Sequence, residues 1–121
     1  MKLLFEAQVN NFKLIPCVRM TRFSKWNRRA QAYLKNQEEL AWRLKTQFNG
    51  PYPPIDKPCT LSADIHIGHK RRVDLDNLIK SIQDALQKAG IVKNDYLIVG
   101  YKRVSLHQDE LNTLTVRLEN P

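Results

Sequence analysis

Residues 61–90 read LSADIHIGHKRRVDLDNLIKSIQDALQKAG, and this stretch decides the fold. Leu61, Ala63, Ile65 and Ile67 alternate with Ser62, Asp64 and His66, the period of two expected of a half-buried strand. Gly68 ends the strand, and His69-Lys70-Arg71-Arg72 makes a basic loop. The period then changes. Leu78, Ile79, Ile82, Ala85, Leu86 and Ala89 recur at three and four residues, one face of a helix that Gly90 stops. A strand that hands over to an amphipathic helix through a short loop is half of an α/β unit.

Towards the N-terminus, Leu3, Phe5, Ala7 and Val9 alternate with polar neighbours as a first strand. Residues 11–25 read as an irregular arm carrying Lys13, Pro16, Arg19, Arg22 and Lys25. Trp26, Ala30, Tyr33, Leu34, Leu40, Ala41, Leu44 and Phe48 then give helical spacing, ended by Asn49-Gly50-Pro51. Residues 51–58 hold four prolines and form a stiff connection too short to divide the chain. Towards the C-terminus, residues 96–106 are rich in β-formers, with a bulge expected at Gly100. His107 to Glu110 is expected to turn directly into a last strand carrying Leu114, Val116 and Leu118, so that these two strands form a hairpin. The expected fold is one compact α/β (α+β) domain over residues 1–121, order β-α-β-α-β-β, with helices packed on a mixed sheet.

Charge narrows the function. Residues 1–50 hold ten Lys or Arg against three Glu, whereas the rest hold ten basic against nine acidic side chains, for a net charge of +8. A basic half beside a half with clustered acids suits a polyanion such as nucleic acid. No segment joins a long apolar face to a basic one, and none is long enough to span a bilayer, which argues against a membrane role. Cys17 and Cys59 stand far apart without a C-x-x-C pattern, as reduced thiols of a cytoplasmic protein would. The brief apolar run after Met1 does not read as a secretory signal.

Asp74 and Asp76 stand one residue apart where the basic loop meets the helix, Lys80 lies one turn further on, and Asp95 follows the helix. Carboxylates so placed can share one cleft, and hard oxygen ligands are what Mg²⁺ takes before sharing itself with a phosphate. The helix N-terminus adds partial positive charge toward an anion. The spacing alone has a plainer reading: an Asp cap on the helix, and surface ion pairs of Lys80 with Asp76 or Asp84.

The longer pattern, Asp74-x-Asp76-Asn77-Leu78-x-Lys80, then Asp84-Ala85-Leu86, Gly90-Ile91-Val92 and Asn94-Asp95, closely resembles the signature of the RusA-like endodeoxyribonucleases. That family includes Holliday junction resolvases. The resemblance implies that Asp74, Asp76 and Asp95 bind Mg²⁺, with Mn²⁺ as a substitute, that Lys80 assists catalysis, and that a homodimer cuts a four-way DNA junction. Asn77 and Asp84 are expected to support the site. Asn94 departs from the family pattern: it offers an oxygen without charge where the family has the first of two acids. Lys70, Arg71 and Arg72 beside the motif, and Arg19 and Arg22 in the arm, are the expected DNA contacts.

Other readings remain open on the residues alone. A non-catalytic nucleic-acid-binding protein would use the basic arm and leave the aspartates to cap the helix. His66-Ile67-Gly68-His69 spells a nucleotidyltransferase motif, but without the glycine-rich βαβ context that chemistry needs. A zinc site from Cys59, His66 and His69 lacks a fourth ligand at usual spacing. Asp64 and His66, on the polar face of their strand, are expected to pair at the surface.

Overall fold

The period-two and period-three-to-four segments become four strands and two helices in a computed structural model of the chain, which describes residues 2–18, 27–48, 53–68 and 72–121. In chain order they are β1 (Leu3–Asn10), α1 (Arg28–Gln47), β2 (Cys59–His66), α2 (Leu75–Lys88), β3 (Ile98–His107) and β4 (Thr113–Glu119), with one 3-10 turn at Asp95–Leu97 before β3. The order is the expected β-α-β-α-β-β.

Alternation dictates which side of the sheet is dry. Cys59, Leu61, Ala63 and Ile65 of β2 are buried, as are Phe5, Ala7 and Val9 of β1 and Leu114, Val116 and Leu118 of β4. They share one core with Leu78, Ile82, Ala85 and Leu86 of α2 and Leu40, Ala41 and Leu44 of α1. Each fully buried Leu or Ile contributes roughly 1.5–3 kcal/mol by leaving water. Both helices therefore cover one face, and the even-numbered residues of β2 stay on the other. No helix among the described residues is long and apolar enough to cross a membrane.

The strand order is β1-β4-β2-β3, with β2 antiparallel to β4 and parallel to β3. This corrects one expectation. The turn after His107 does not make a hairpin of β3 and β4, because β2 lies between them and pairs with both. The physical reason is burial: β4 and β2, whose inner faces are both dry, take the two central places, and α2 returns the chain to β2's far side as a parallel crossover. The irregularity expected at Gly100 is present as two register shifts that flank it, at Val99 and at Lys102 opposite β2.

Local chemistry fixes the ends of the elements. The Asn27 side chain accepts from the Ala30 amide at 2.8 Å and starts α1. Gln37 lies in the apolar stripe of α1 yet is buried, and its amide donates to the Ser81 carbonyl at 2.8 Å, joining the helices through a polar contact. Phe12 and Leu14, read from sequence as part of an irregular arm, are buried in the core. The α2 C-terminus turns at Gly90, whose φ of +75° is left-handed and whose missing Cβ would meet nothing within 4 Å. Gly90→Ala should therefore cost only backbone strain, about 1–2 kcal/mol. In urea denaturation this appears as a lowered midpoint with an unchanged slope; no change would contradict the left-handed turn.

Candidate active site

α2 begins at the D-x-D motif. Asp74 is its N-cap in extended backbone (φ −78°, ψ 120°), and its carbonyl accepts from the Leu78 amide at 3.3 Å. Its side chain makes no capping hydrogen bond. Asp76 follows in the first turn, and Asp74, Asp76 and Lys80 are all exposed. Among the described residues these three side chains have no ion-pair partner, so the surface pairs of Lys80 with Asp76 or Asp84 are not formed. Two carboxylates and an ammonium thus stay available at the positive end of a helix dipole.

A strap of extended chain, Ile15 to Val18, crosses the start of α2. The Cys17 amide donates to the Asn77 carbonyl at 3.0 Å, and the Ser81 hydroxyl donates to the Ile15 carbonyl at 2.7 Å. On the α1 side, the Asn36 side chain accepts from the Ile15 amide and donates to the Lys13 carbonyl. Two clefts border the strap. The smaller, about 400 Å³, brings Arg29 and Arg72 to Asp74 and Asn77. The larger, about 680 Å³, is lined by Asn77, Lys80, Asp84 and Lys88 of α2 and by Tyr33 of α1. The Tyr33 hydroxyl donates to Asp84 at 3.1 Å. Burial first, then the Cys17 thiol and the Asp84 charge, push its ionisation far above the usual phenol range, so it remains a neutral donor that fixes Asp84.

Asp95 lies elsewhere. Its amide donates to the Gln87 side chain at 3.1 Å, near the C-terminal end of α2. Asp76 and Gln87 are eleven residues apart on one helix, about 16 Å of rise. Within one chain the structure brings Asp74, Asp76 and Lys80 to one end of α2 and leaves Asp95 at the other. Asn94 precedes Asp95 without a side-chain capping bond. Lys70, Arg71, Arg19 and Arg22 lie outside the described residues, as do His69 and Trp26; Arg72 is exposed on the smaller cleft. Trp42 of α1 is 67% exposed and lies outside the core.

Residues 17–119 match the family Endodeoxyribonuclease RusA, and the chain belongs to that family. It is also similar to the crossover junction endodeoxyribonuclease RusA of Aquifex aeolicus (strain VF5), 39% identical over 57 residues. That similarity spans 47% of this chain and 44% of the relative, less than half the length of each.

A second polar cluster sits on the helix-free face of the sheet, where the expected pairing of Asp64 with His66 is found. His66 bonds Asp109 through Nδ1 at 2.8 Å and approaches Asp64 through Nε2 at 3.3 Å. His107 Nε2 lies 2.9 Å from Asp64, which also accepts from the Ser105 hydroxyl at 2.7 Å. The sequence hid this group because its members are about forty residues apart; only the β2–β3 pairing unites them. The bond to Asp109 raises the His66 pKa above 6.5. The Ser105 hydroxyl lowers that of Asp64 below 3.8, and His66 does the same for Asp109. The His66 contribution to stability is therefore complete below pH 6.5 and lost as pH rises through its raised folded value. The aspartate contributions are present above pH 3.8 and lost as pH falls through their lowered folded values. In thermal melts with chelator present, the stability margin of wild type over His66→Asn should be widest between about pH 4 and 6.5 and narrow above that range. A margin that does not change between neutral and mildly acidic pH would refute the pairing.

Proposed function

We propose that this chain is a Mg²⁺-dependent, structure-selective DNA endonuclease that resolves four-way junctions in recombination and repair, acting in the cytoplasm. The observation that carries the reading is the D-x-D-N-L-x-K run of a RusA-family chain, with Asp74, Asp76 and Lys80 exposed and unpaired at the N-terminus of α2. Their chemistry fits the ion: hard carboxylate oxygens without competing partners among the described residues. A bound Mg²⁺, or Mn²⁺ in its place, would lower the pKa of a water and offset charge on the phosphate.

The side chains supply the rest. Asp74 and Asp76 hold the ion, and Lys80, one turn on, places a positive charge where the phosphate oxygens gain charge. Asn77 lines both clefts and Asp84 is fixed by Tyr33, so both order the surface around the reacting centre. Arg72 and Arg29, with Lys70, Arg71, Arg19 and Arg22, grip the flanking phosphates. In-line attack by water on the phosphodiester leaves a 5′-phosphate and a 3′-hydroxyl.

The position of Asp95, near the C-terminal end of α2, supports a homodimer. Oxygen ligands of one Mg²⁺ lie within about 2.1 Å of it, a reach that α2 denies to Asp95 and Asp76 of the same chain. A two-fold partner with its α2 antiparallel would bring its Asp95 to the D-x-D motif, and the reverse would hold for the other site. Tyr96, Val99 and Tyr101, beside Asp95 on and before the edge strand β3, are 71%, 59% and 54% exposed, an apolar strip suited to such a contact.

Asp76→Asn should reduce cleavage of a labelled four-way junction by at least a hundredfold while junction binding stays within a fewfold, roughly 3 kcal/mol lost from the transition state alone; undiminished cleavage at matched Mg²⁺ would remove Asp76 from the site. Junction binding indifferent to Mg²⁺, with no cleavage, would favour a binding module instead. Mixing Asp76→Asn with Asp95→Asn chains tests the dimer directly. A shared site regains one intact centre per heterodimer and nicks one strand; a site confined to one chain stays inactive in every pairing.

A further inference from the structure

On the helix-free face of the sheet, we propose that Asp64, His66 and His107 bind a divalent transition-metal ion of the zinc class, at a site separate from the carboxylates of α2. The parallel β2–β3 register sets His66 opposite His107 and Asp64 opposite Ser105, so the three side chains occupy adjacent places on one surface. Their ligand atoms all lie within 4.8 Å of one another. The two Nε2 atoms approach the Asp64 carboxylate at 3.3 and 2.9 Å. Ligands on bonds of about 2.1 Å, at a right or tetrahedral angle, stand about 3.0–3.4 Å apart. The spacing is already that of neighbours around an ion.

The outer groups point the same way. Asp109 bonds His66 Nδ1 at 2.8 Å, a contact that would hold the ring proton there and free Nε2, on the Asp64 side, for an ion. Asp109 is itself fixed, its other oxygen accepting from the Leu111 amide at 2.8 Å. Ser105 orients Asp64. This carboxylate–imidazole pairing behind a ligand nitrogen is how proteins hold metal-binding histidines in the right tautomer. Two rings and a hydroxyl converge on Asp64.

Some movement is required. The rings stack at 4.4 Å and 13°, so a modest turn about the Cβ–Cγ bond of one must bring both lone pairs to a common point. That torsion is soft, and the side chains are 21% and 47% exposed, with room to turn and a path for the ion. Two imidazoles and one carboxylate select zinc, cobalt, nickel or iron over magnesium and calcium. Three protein ligands leave positions for water, so the site is open rather than sealed. An ion there would tie the ends of β2 and β3 to the turn that carries Asp109, just before the segment that leads from Gly68 to Asp74.

The test is a Co²⁺ titration of tag-free protein in a large excess of Mg²⁺, which fills carboxylate sites but competes poorly for imidazole. The wild type should bind one Co²⁺ with visible ligand-field bands. His66→Asn and His107→Asn should each abolish the bands, and Asp109→Asn should weaken binding about tenfold or more. Asp76→Asn should leave the bands intact, which separates this site from the proposed nuclease centre. Circular dichroism confirms that each variant is folded. In the wild type itself, Zn²⁺ should shift the ring ¹⁵N resonances of His66 and His107. Absence of bands, bands indifferent to both histidine substitutions, bands lost with Asp76→Asn, or unmoved ring resonances would each overturn the proposal.

Discussion

The dry contact between the apolar stripe of α2 and the inner face of the sheet is the constraint on which the rest of the molecule depends. Leu78, Ile82, Ala85 and Leu86 can leave water only if α2 lies across the sheet with that stripe inward. Once it does, the positions of other residues on the helix are no longer free. Asp76, Lys80, Gln83 and Gln87, at four-, three- and four-residue steps, fall on a separate stripe by helical geometry. Hydrophobic burial thereby sets the direction of the polar groups from which the proposed chemistry comes.

Polar contacts sharpen what burial leaves loose. α1 and α2 could slide along one another if only aliphatic groups met. The buried Gln37–Ser81 bond fixes their register, because leaving the amide or the carbonyl unpaired costs about 1–3 kcal/mol. The same serine holds the Ile15–Val18 strap through its hydroxyl, so one short residue positions both the helix pair and the segment between the two clefts. Tyr33 does similar work for Asp84. On the opposite side of the sheet, a parallel ladder aligns Asp64, Ser105, His66 and His107 without help from the core. The two faces thus collect ionisable groups by different means: one by helix geometry, the other by strand register.

Much of this was legible in residue order. The period of two in residues 61–67 and the three-and-four spacing from Leu78 to Ala89 report burial directly, since a residue's face depends only on its position in its own element. The D-x-D-N-L-x-K run was visible for the same reason: its members lie within two turns of helix. Phe12 and Leu14 were not visible, because irregular chain has no period to betray which side chains point inward. The direct hairpin of the last two strands was expected from their adjacency in sequence. It failed because β2, with a dry inner face of its own, pairs with both and takes the place between them, and local propensity carries no information on that contest.

The sequence by itself determined the elements, the family and the short-range motif, all properties of residues within a few turns or strand steps of one another. The tertiary structure alone decided which distant residues meet. It put Asp95 at the far end of α2 from Asp76, brought His107 to His66 from forty-one positions away, and laid the strap over Asn77. The reason is physical: periodicity fixes direction within an element, while distance between elements is set by the packing and pairing of the whole chain.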